Sequence, residues 1–238
     1  MLKGLYKVEM ETVHGSRRGV LYVYDGKMMG GNLAFASIGT YRESAGEVFA
    51  DLSTLRHNDD PAHQPLLKTD VVTLTLRGRQ RGKQYHFEGG TTALPGIAFR
   101  LVMTPISEAT APPVISAGQG IANGLYSMHI RMLDGIDGGN TGVVLLHDGA
   151  MRGGDAYFDY QGTYASSNGK WKGELINHEH TPSEGAPSEG APLLFGGYEV
   201  GIGFSGTYSE GGAVATATAL VGKRSVRFSA VLKKMAEA

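Results

Sequence analysis

Two histidines two residues apart, in His178-Glu-His180, are the most suggestive chemical arrangement in this sequence. In a strand, positions i and i+2 point the same way, which would let two imidazoles meet one metal ion. No third ligand lies near them in sequence, so the expectation is a pair of solvated imidazoles at a loop entry and no metal cofactor. His57 and His63, which flank Asp59 and Asp60, read the same way. Arg77, Arg79, Arg81 and Lys83 fall at alternate positions and share one face, an arrangement that could grip a phosphate backbone. A solvated hairpin tip is the simpler account, and no nucleic-acid partner is expected. The glycine pairs Gly30-Gly31 and Gly153-Gly154 do not make a phosphate cradle, because a cradle uses backbone amides at the start of a helix and here strand alternation resumes at once. No Ser, His and acid triplet can be assigned by spacing, and the chain has no cysteine. The sequence therefore reads as a non-enzymatic protein.

The elements that carry these residues are written twice. Asp25-Gly-Lys-Met-Met-Gly-Gly31 recurs as Asp148-Gly-Ala-Met-Arg-Gly-Gly154, an offset of 148 − 25 = 123 residues. Gly4-Leu-Tyr6 and Gly124-Leu-Tyr126 precede the two copies, and Gly39-Thr-Tyr41 and Gly162-Thr-Tyr164 follow them. Within each copy short runs alternate between apolar and polar residues, as half-buried strands do. Tyr6, Val8 and Met10 oppose Lys7, Glu9 and Glu11; Tyr126, Met128, Ile130 and Met132 oppose Ser127, His129 and Arg131. Asp25-Gly26 and Asp148-Gly149 supply the positive φ angles of two-residue hairpin turns. The glycine pairs mark a bulge, a bend or a close backbone approach. The stretch before Val20 reads as a polar loop. Counting the runs gives about eight strands per copy, enough to close a small barrel filled by side chains or holding one small ligand.

Composition agrees with an all-β protein. With 41% hydrophobic residues, 19% charged, a net charge of −1 and 36 glycines, the chain is rich in turn formers and lacks the basic excess of a general nucleic-acid binder. The N-terminal residues alternate apolar with charged and contain no secretory h-region, and no stretch approaches a membrane span, so a cytoplasmic, soluble protein is expected. The predicted division is a first barrel over 1–106, a linker over 107–122 and a second barrel over 123–238. The direct repeat Ser183-Glu-Gly-Ala-Pro187 and Ser188-Glu-Gly-Ala-Pro192 has nothing to build a core with and reads as a mobile surface loop.

The order Gly-Leu-Tyr, Asp-Gly-x-Met-x-Gly-Gly, Gly-Thr-Tyr, closing on Ala219-Leu-Val-Gly222 and a basic strand, resembles the GrlR-like negative regulators of type III secretion. The resemblance covers nearly all of both halves. It implies two tandem eight-stranded antiparallel calycin/lipocalin-like β-barrels, each matching a domain found as a homodimer that represses by binding a transcriptional activator and not DNA. This chain would then be an internal pseudo-dimer, its halves related by a pseudo-twofold. The best-known repressor of that family contacts its activator through an acidic Glu-Asp-Glu-Asp run. The matching turns here read Glu43-Ser-Ala-Gly-Glu47 and Ser166-Ser-Asn-Gly-Lys170, which makes Glu43 and Glu47 the implied partner contacts.

Two functions follow as expectations. The first is a regulatory protein that binds a protein partner through its outer surface. The second is a carrier or sensor of a small hydrophobic ligand, with Tyr6, Met10, Phe35 and Phe99 lining the first barrel and Tyr126, Met128, Met132, Phe158 and Phe228 the second.

Overall fold

Sixteen strands and no helix make up the described part of the computed structural model, which covers residues 2–108, 120–133, 137–182 and 199–238, with the backbone alone for 137–140. The chain divides into two units, Met1–Glu108 and Ala109–Ala238. Most of the predicted linker and the whole Ser183 to Pro192 repeat lie outside the described residues.

The first unit is a closed barrel of β1 (Gly4–Thr12), β2 (Gly15–Tyr24), β3 (Lys27–Gly31), β4 (Phe35–Ser44), β5 (Glu47–Arg56), β6 (Val71–Arg81), β7 (Gln84–Gly90) and β8 (Phe99–Pro105). Each strand pairs antiparallel with the next, and β8 returns to β1 through Tyr6↔Pro105 to Glu11↔Arg100. The second unit repeats the design with β9 (Gly124–Met132), β10 (Asp137–His147), β11 (Ala150–Gly154), β12 (Phe158–Ser167), β13 (Lys170–Glu179), β14 (Val200–Ser209), β15 (Gly212–Val221) and β16 (Arg224–Glu237), closed by β16 on β9. The two tandem eight-stranded antiparallel barrels, consistent with a calycin/lipocalin-like description, are thus the architecture of the chain. Closure leaves no unpaired sheet edge in either unit.

The duplication extends to single hydrogen bonds. Tyr41 N donates to Gly26 O and Tyr164 N to Gly149 O, both at 2.8 Å. Asn32 N donates to Phe35 O and Asp155 N to Phe158 O, both at 2.9 Å. The hairpin turns match as well, with Asp25 and Gly26 at φ 43° and 78° and Asp148 and Gly149 at 47° and 82°. At the glycine pairs the register runs on without a bulge, Leu21↔Gly30 and Val144↔Gly153. The alternative holds: a Cβ on Gly30 or Gly153 would fall far inside contact with the carbonyl oxygen of Val20 or Val143. The absence of a side chain lets the strands coil that tightly.

One expectation is corrected. The polar stretch before Val20 is strand from Gly15 onward: it pairs residue by residue with β1, with Arg18 on the outer face, Nε 3.7 Å from Glu9 Oε1, and Arg17 opposite Met10 at the barrel mouth. In the second unit the same hairpin is irregular, with a register shift between Asp137 and Thr141.

Each barrel interior is one apolar cluster. The first contains Tyr6, Val8, Met10, Leu52, Leu74, Leu76, Phe87, Phe99, Leu101 and Met103; the second contains Tyr126, Met128, Phe158, Tyr164, Trp171, Phe204, Phe228 and five alanines from β15 and β16. Met132 packs against the second cluster half-buried. Phe35 departs from the expected lining: it lies outside the first cluster, half-buried, with the Arg56 guanidinium 4.6 Å over its ring. Its counterpart Phe158 faces Glu179 in the same register and joins the interior.

Candidate functional site

Three places in the barrels carry chemistry beyond packing: their ends, the outer face of β4 to β6, and a polar group inside the second barrel.

The ends come first because they decide what reaches the interior. At the end of the first barrel where β1 begins, Leu2 is fully buried in the core cluster. Its backbone N donates to Glu43 Oε1 at 2.7 Å, and the Tyr41 hydroxyl donates to its carbonyl at 2.6 Å. The second barrel uses Ile121, 5% exposed, whose N donates to Ser166 Oγ at 3.0 Å. Glu43 and Ser166 are the same turn position, so the acid singled out for a partner holds the barrel's own plug. Opposite, Leu66 and Leu67 from the loop after β5 pack against the first core, with Thr12 Oγ1 donating to Leu66 O at 3.3 Å and Arg17 to Gln64 O at 2.9 Å. The first barrel is therefore stoppered at both ends by its own residues.

On the outer face of β4 to β6, Glu47 is a nearly buried carboxylate shared by two arginines. Arg77 donates to Oε2 from Nε at 2.9 Å and from NH2 at 2.6 Å, and Arg79 donates to Oε1 from Nε at 2.6 Å. These charge-assisted bonds, led by the Arg77 hydrogen bond, hold the Glu47 carboxyl below its usual range and raise the Arg77 guanidinium in turn. Beside them the Phe49 ring carries Arg42 at 4.3 Å and Arg77 at 5.8 Å from its centroid. Cation–π contacts of this kind fix guanidinium planes while leaving N–H groups toward solvent. Arg77 and Arg79 stay more than 60% exposed in their side chains. The alternating row of Arg77, Arg79 and Arg81 is thus one edge of a basic, aromatic-floored patch.

In the second barrel, Asp155 follows the glycine pair as Asn32 does in the first. Asn32 Oδ1 accepts from Ala34 N at 3.0 Å and Phe35 N at 2.9 Å; Asp155 Oδ1 accepts from Tyr157 N at 2.8 Å and Phe158 N at 2.9 Å. Asp155 adds a second bond, accepting the Tyr160 hydroxyl on Oδ2 at 2.5 Å. Burial pushes the Asp155 carboxyl up to about 6, against the lowering effect of its hydrogen bonds, and the same burial raises the Tyr160 phenol well above its ordinary value. Tyr160 pairs across with Asn177, which is 1% exposed and pairs in turn with Val200. The matching positions of the first barrel are Ser37 and Thr54. Sequence reasoning missed this group; the signal was the change from Asn32 to the acid Asp155 and from Ser37 and Thr54 to the larger Tyr160 and Asn177.

The histidines sit elsewhere. His178 is half-exposed, its Nδ1 3.0 Å from Asp159 Oδ1, while His180 has left the strand with Nδ1 2.9 Å from Thr181 Oγ1. His57 Nε2 lies 3.0 Å from Asn32 O, and burial lowers its imidazole below the usual value; His63 Nε2 approaches Asp60 Oδ2 at 4.0 Å. Among the described residues no three His, Asp or Glu side chains come together as a metal site would require.

No family model and no curated protein matches the chain. Among solved structures it is similar to the crystal structure of a protein titled "putative outer membrane protein" from Bacteroides fragilis, at 12% identity, over 98% of this chain and 96% of that one, with a TM-score of 0.23. A likeness that weak carries no argument about this chain.

Proposed function

We propose that the chain is a non-enzymatic regulatory protein that binds a protein partner through the outer face of its first barrel, the mode of action implied by its GrlR-like motifs. One observation carries the reading: Arg42, Arg77 and Arg79 are held in fixed planes on the outside of β4 to β6 by Phe49 and Glu47. Aromatic and arginine side chains dominate protein interfaces, and guanidiniums immobilised beforehand lose little entropy on docking. The surface so built is basic, so the partner presents carboxylates to it. This reverses the polarity that the acidic turn suggested, since Glu43 is engaged by the Leu2 plug and Glu47 by the arginines. A water-facing surface fits the outward side of β5 to β8, which carries Asp51, Arg77, Arg79, Glu88 and Arg100, charges that are costly on a lipid-facing band.

The test is affinity capture from the source cells with the wild-type chain and with an Arg42→Glu, Arg77→Glu variant. A protein retained by the wild type and lost by the variant supports the reading. A set of captured proteins identical for the two overturns it.

A further inference from the structure

Strands β14 and β15 contain no charged residue along their whole length, although every second side chain faces water. The first barrel is charged at the same places. Phe49, Arg77, Glu88 and Arg100 form one outward row across β5 to β8, and the matching row of the second barrel reads Lys172, Ser205, Thr216 and Ser229. In the next row Glu47, Arg79, His86 and Val102 become Lys170, Thr207, Val214 and Val231. Val214 and Val231 are direct cross-strand partners, 49% and 40% exposed.

Charge returns on the strands to either side, with opposite signs in one row. Glu174 on β13, Gly203 on β14, Thr218 on β15 and Arg227 on β16 lie side by side. Glu174 and Arg227 are both exposed, and neither makes an ion pair among the described residues. The middle of the face is hollow. A Cβ placed on Gly203, or on Gly201 one row along, would meet nothing within 4 Å, while Leu220 on β15 stands 67% exposed.

The geometry points to a second copy of this chain as the occupant of this face, related by a twofold axis that runs along the strands between β14 and β15. Such an axis reverses the strand order and keeps the rows, so Glu174 meets Arg227 of the second copy and Arg227 meets its Glu174. Thr218 and Leu220 then fall over the open space at Gly203 and Gly201. Lys172 and Lys170 fall opposite Ser229 and Val231, so no like charges meet. Two convex barrels touch first at the centre of the contact, where these side chains are smallest. The long Glu174 and Arg227 side chains span the flanks, where the surfaces curve apart. Four strands about 4.8 Å apart and four rows about 6.8 Å apart cover about 500 Å² on each copy, about 1,000 Å² for the pair, the lower end of a specific interface. The face lies in the second unit and the basic patch in the first, so each stands or falls by its own test.

The experiment is sedimentation velocity of the full chain from about 1 μM to about 300 μM, repeated on Glu174→Arg, Arg227→Glu, the double variant and Val214→Arg. All three positions are exposed, and a buried Trp171 emission spectrum verifies that each variant is folded. The wild type is expected to pass from one chain to two, with a midpoint on the order of 10 μM for an interface of this size. Each single reversal sets like charges against each other at both ends of the row and should weaken association at least tenfold. The double variant exchanges the pair and should recover the wild-type midpoint. Val214→Arg should also weaken association at least tenfold, by placing a charge at the uncharged centre of the contact. A wild type that stays single up to the highest concentration overturns the proposal and leaves the face to a different protein. So do dimers that the single reversals leave intact, or a double variant as weak as either single.

Discussion

Val48 and Trp171 occupy the same position in the two barrels, and so do Phe87 and Ala215, Leu76 and Phe204, and Ser37 and Tyr160. The bulk has moved across the interior. In the first barrel the Phe87 ring lies over Gly78; in the second, Phe204 approaches to 2.6 Å of where a Gly173 Cβ would stand, and Trp171 reaches across to donate Nε1 to Val214 O at 3.1 Å. Around these positions the backbone pairing stayed the same while side-chain volume was traded, as cores allow when total volume is kept. A duplicated frame can hold one copy apolar while the other acquires polar groups in its interior.

The largest expected effects fall where the copies agree. Gly30→Val and Gly153→Val should each unfold their own barrel, by more than ~4 kcal/mol, since the clash is with backbone. Trp171 emission in urea follows the second barrel, and circular dichroism follows both. A variant that folds normally would break the claim that tight coiling is shared.

Next come the traded volumes. Phe87→Ala should cost about 3–5 kcal/mol by leaving a cavity, while Ala215→Phe should cost about 1–3 kcal/mol by crowding Trp171. Adding Trp171→Val to Ala215→Phe should recover part of that loss in thermal melts; a fully additive double variant would deny that the two positions share one volume. Smaller again are the plugs, where Glu43→Ala and Ser166→Ala should each cost about 1 kcal/mol by removing the acceptor for the Leu2 or Ile121 amide. The smallest effect is at a turn in which Ala45 and Asn168 both hold left-handed φ angles, 51° and 50°. Ala45→Asn should gain roughly 0.5–1 kcal/mol and Asn168→Ala lose as much, because asparagine tolerates that conformation better.

Barrel closure was legible because period-two alternation and paired Asp-Gly turns are local signals, and the repeat supplied each of them twice. The start of β2 was not: Gly15, Ser16 and Arg18 are exposed and Arg17 sits at the barrel mouth, where polar residues say nothing about strand or loop. Nor was the role of Glu43 and Glu47, since an acidic turn looks the same in sequence whether it meets solvent, a partner, or Arg77 and Arg79 brought from thirty-odd residues away. The Asp155, Tyr160 and Asn177 group was hidden for the same reason. Its members lie on three segments that only the closed barrel joins, and each reads alone as a turn acid, an aromatic core residue or a strand-end amide.

The measurement that bears most directly on the difference between the barrels is the urea midpoint of Trp171 emission from pH 3.5 to 7.5, for the wild type and for Asp155→Asn, which installs the residue the first barrel has as Asn32. A carboxyl whose folded value of about 6 exceeds the unfolded 3.8 leaves the native state holding more protons across that window, so stability must fall as pH rises through it. The account predicts that the wild type loses on the order of 2–3 kcal/mol relative to Asp155→Asn between pH 3.8 and 6, with a constant difference above. Parallel curves for the two proteins would contradict it, and the second barrel's interior would then be no more polar in effect than the first.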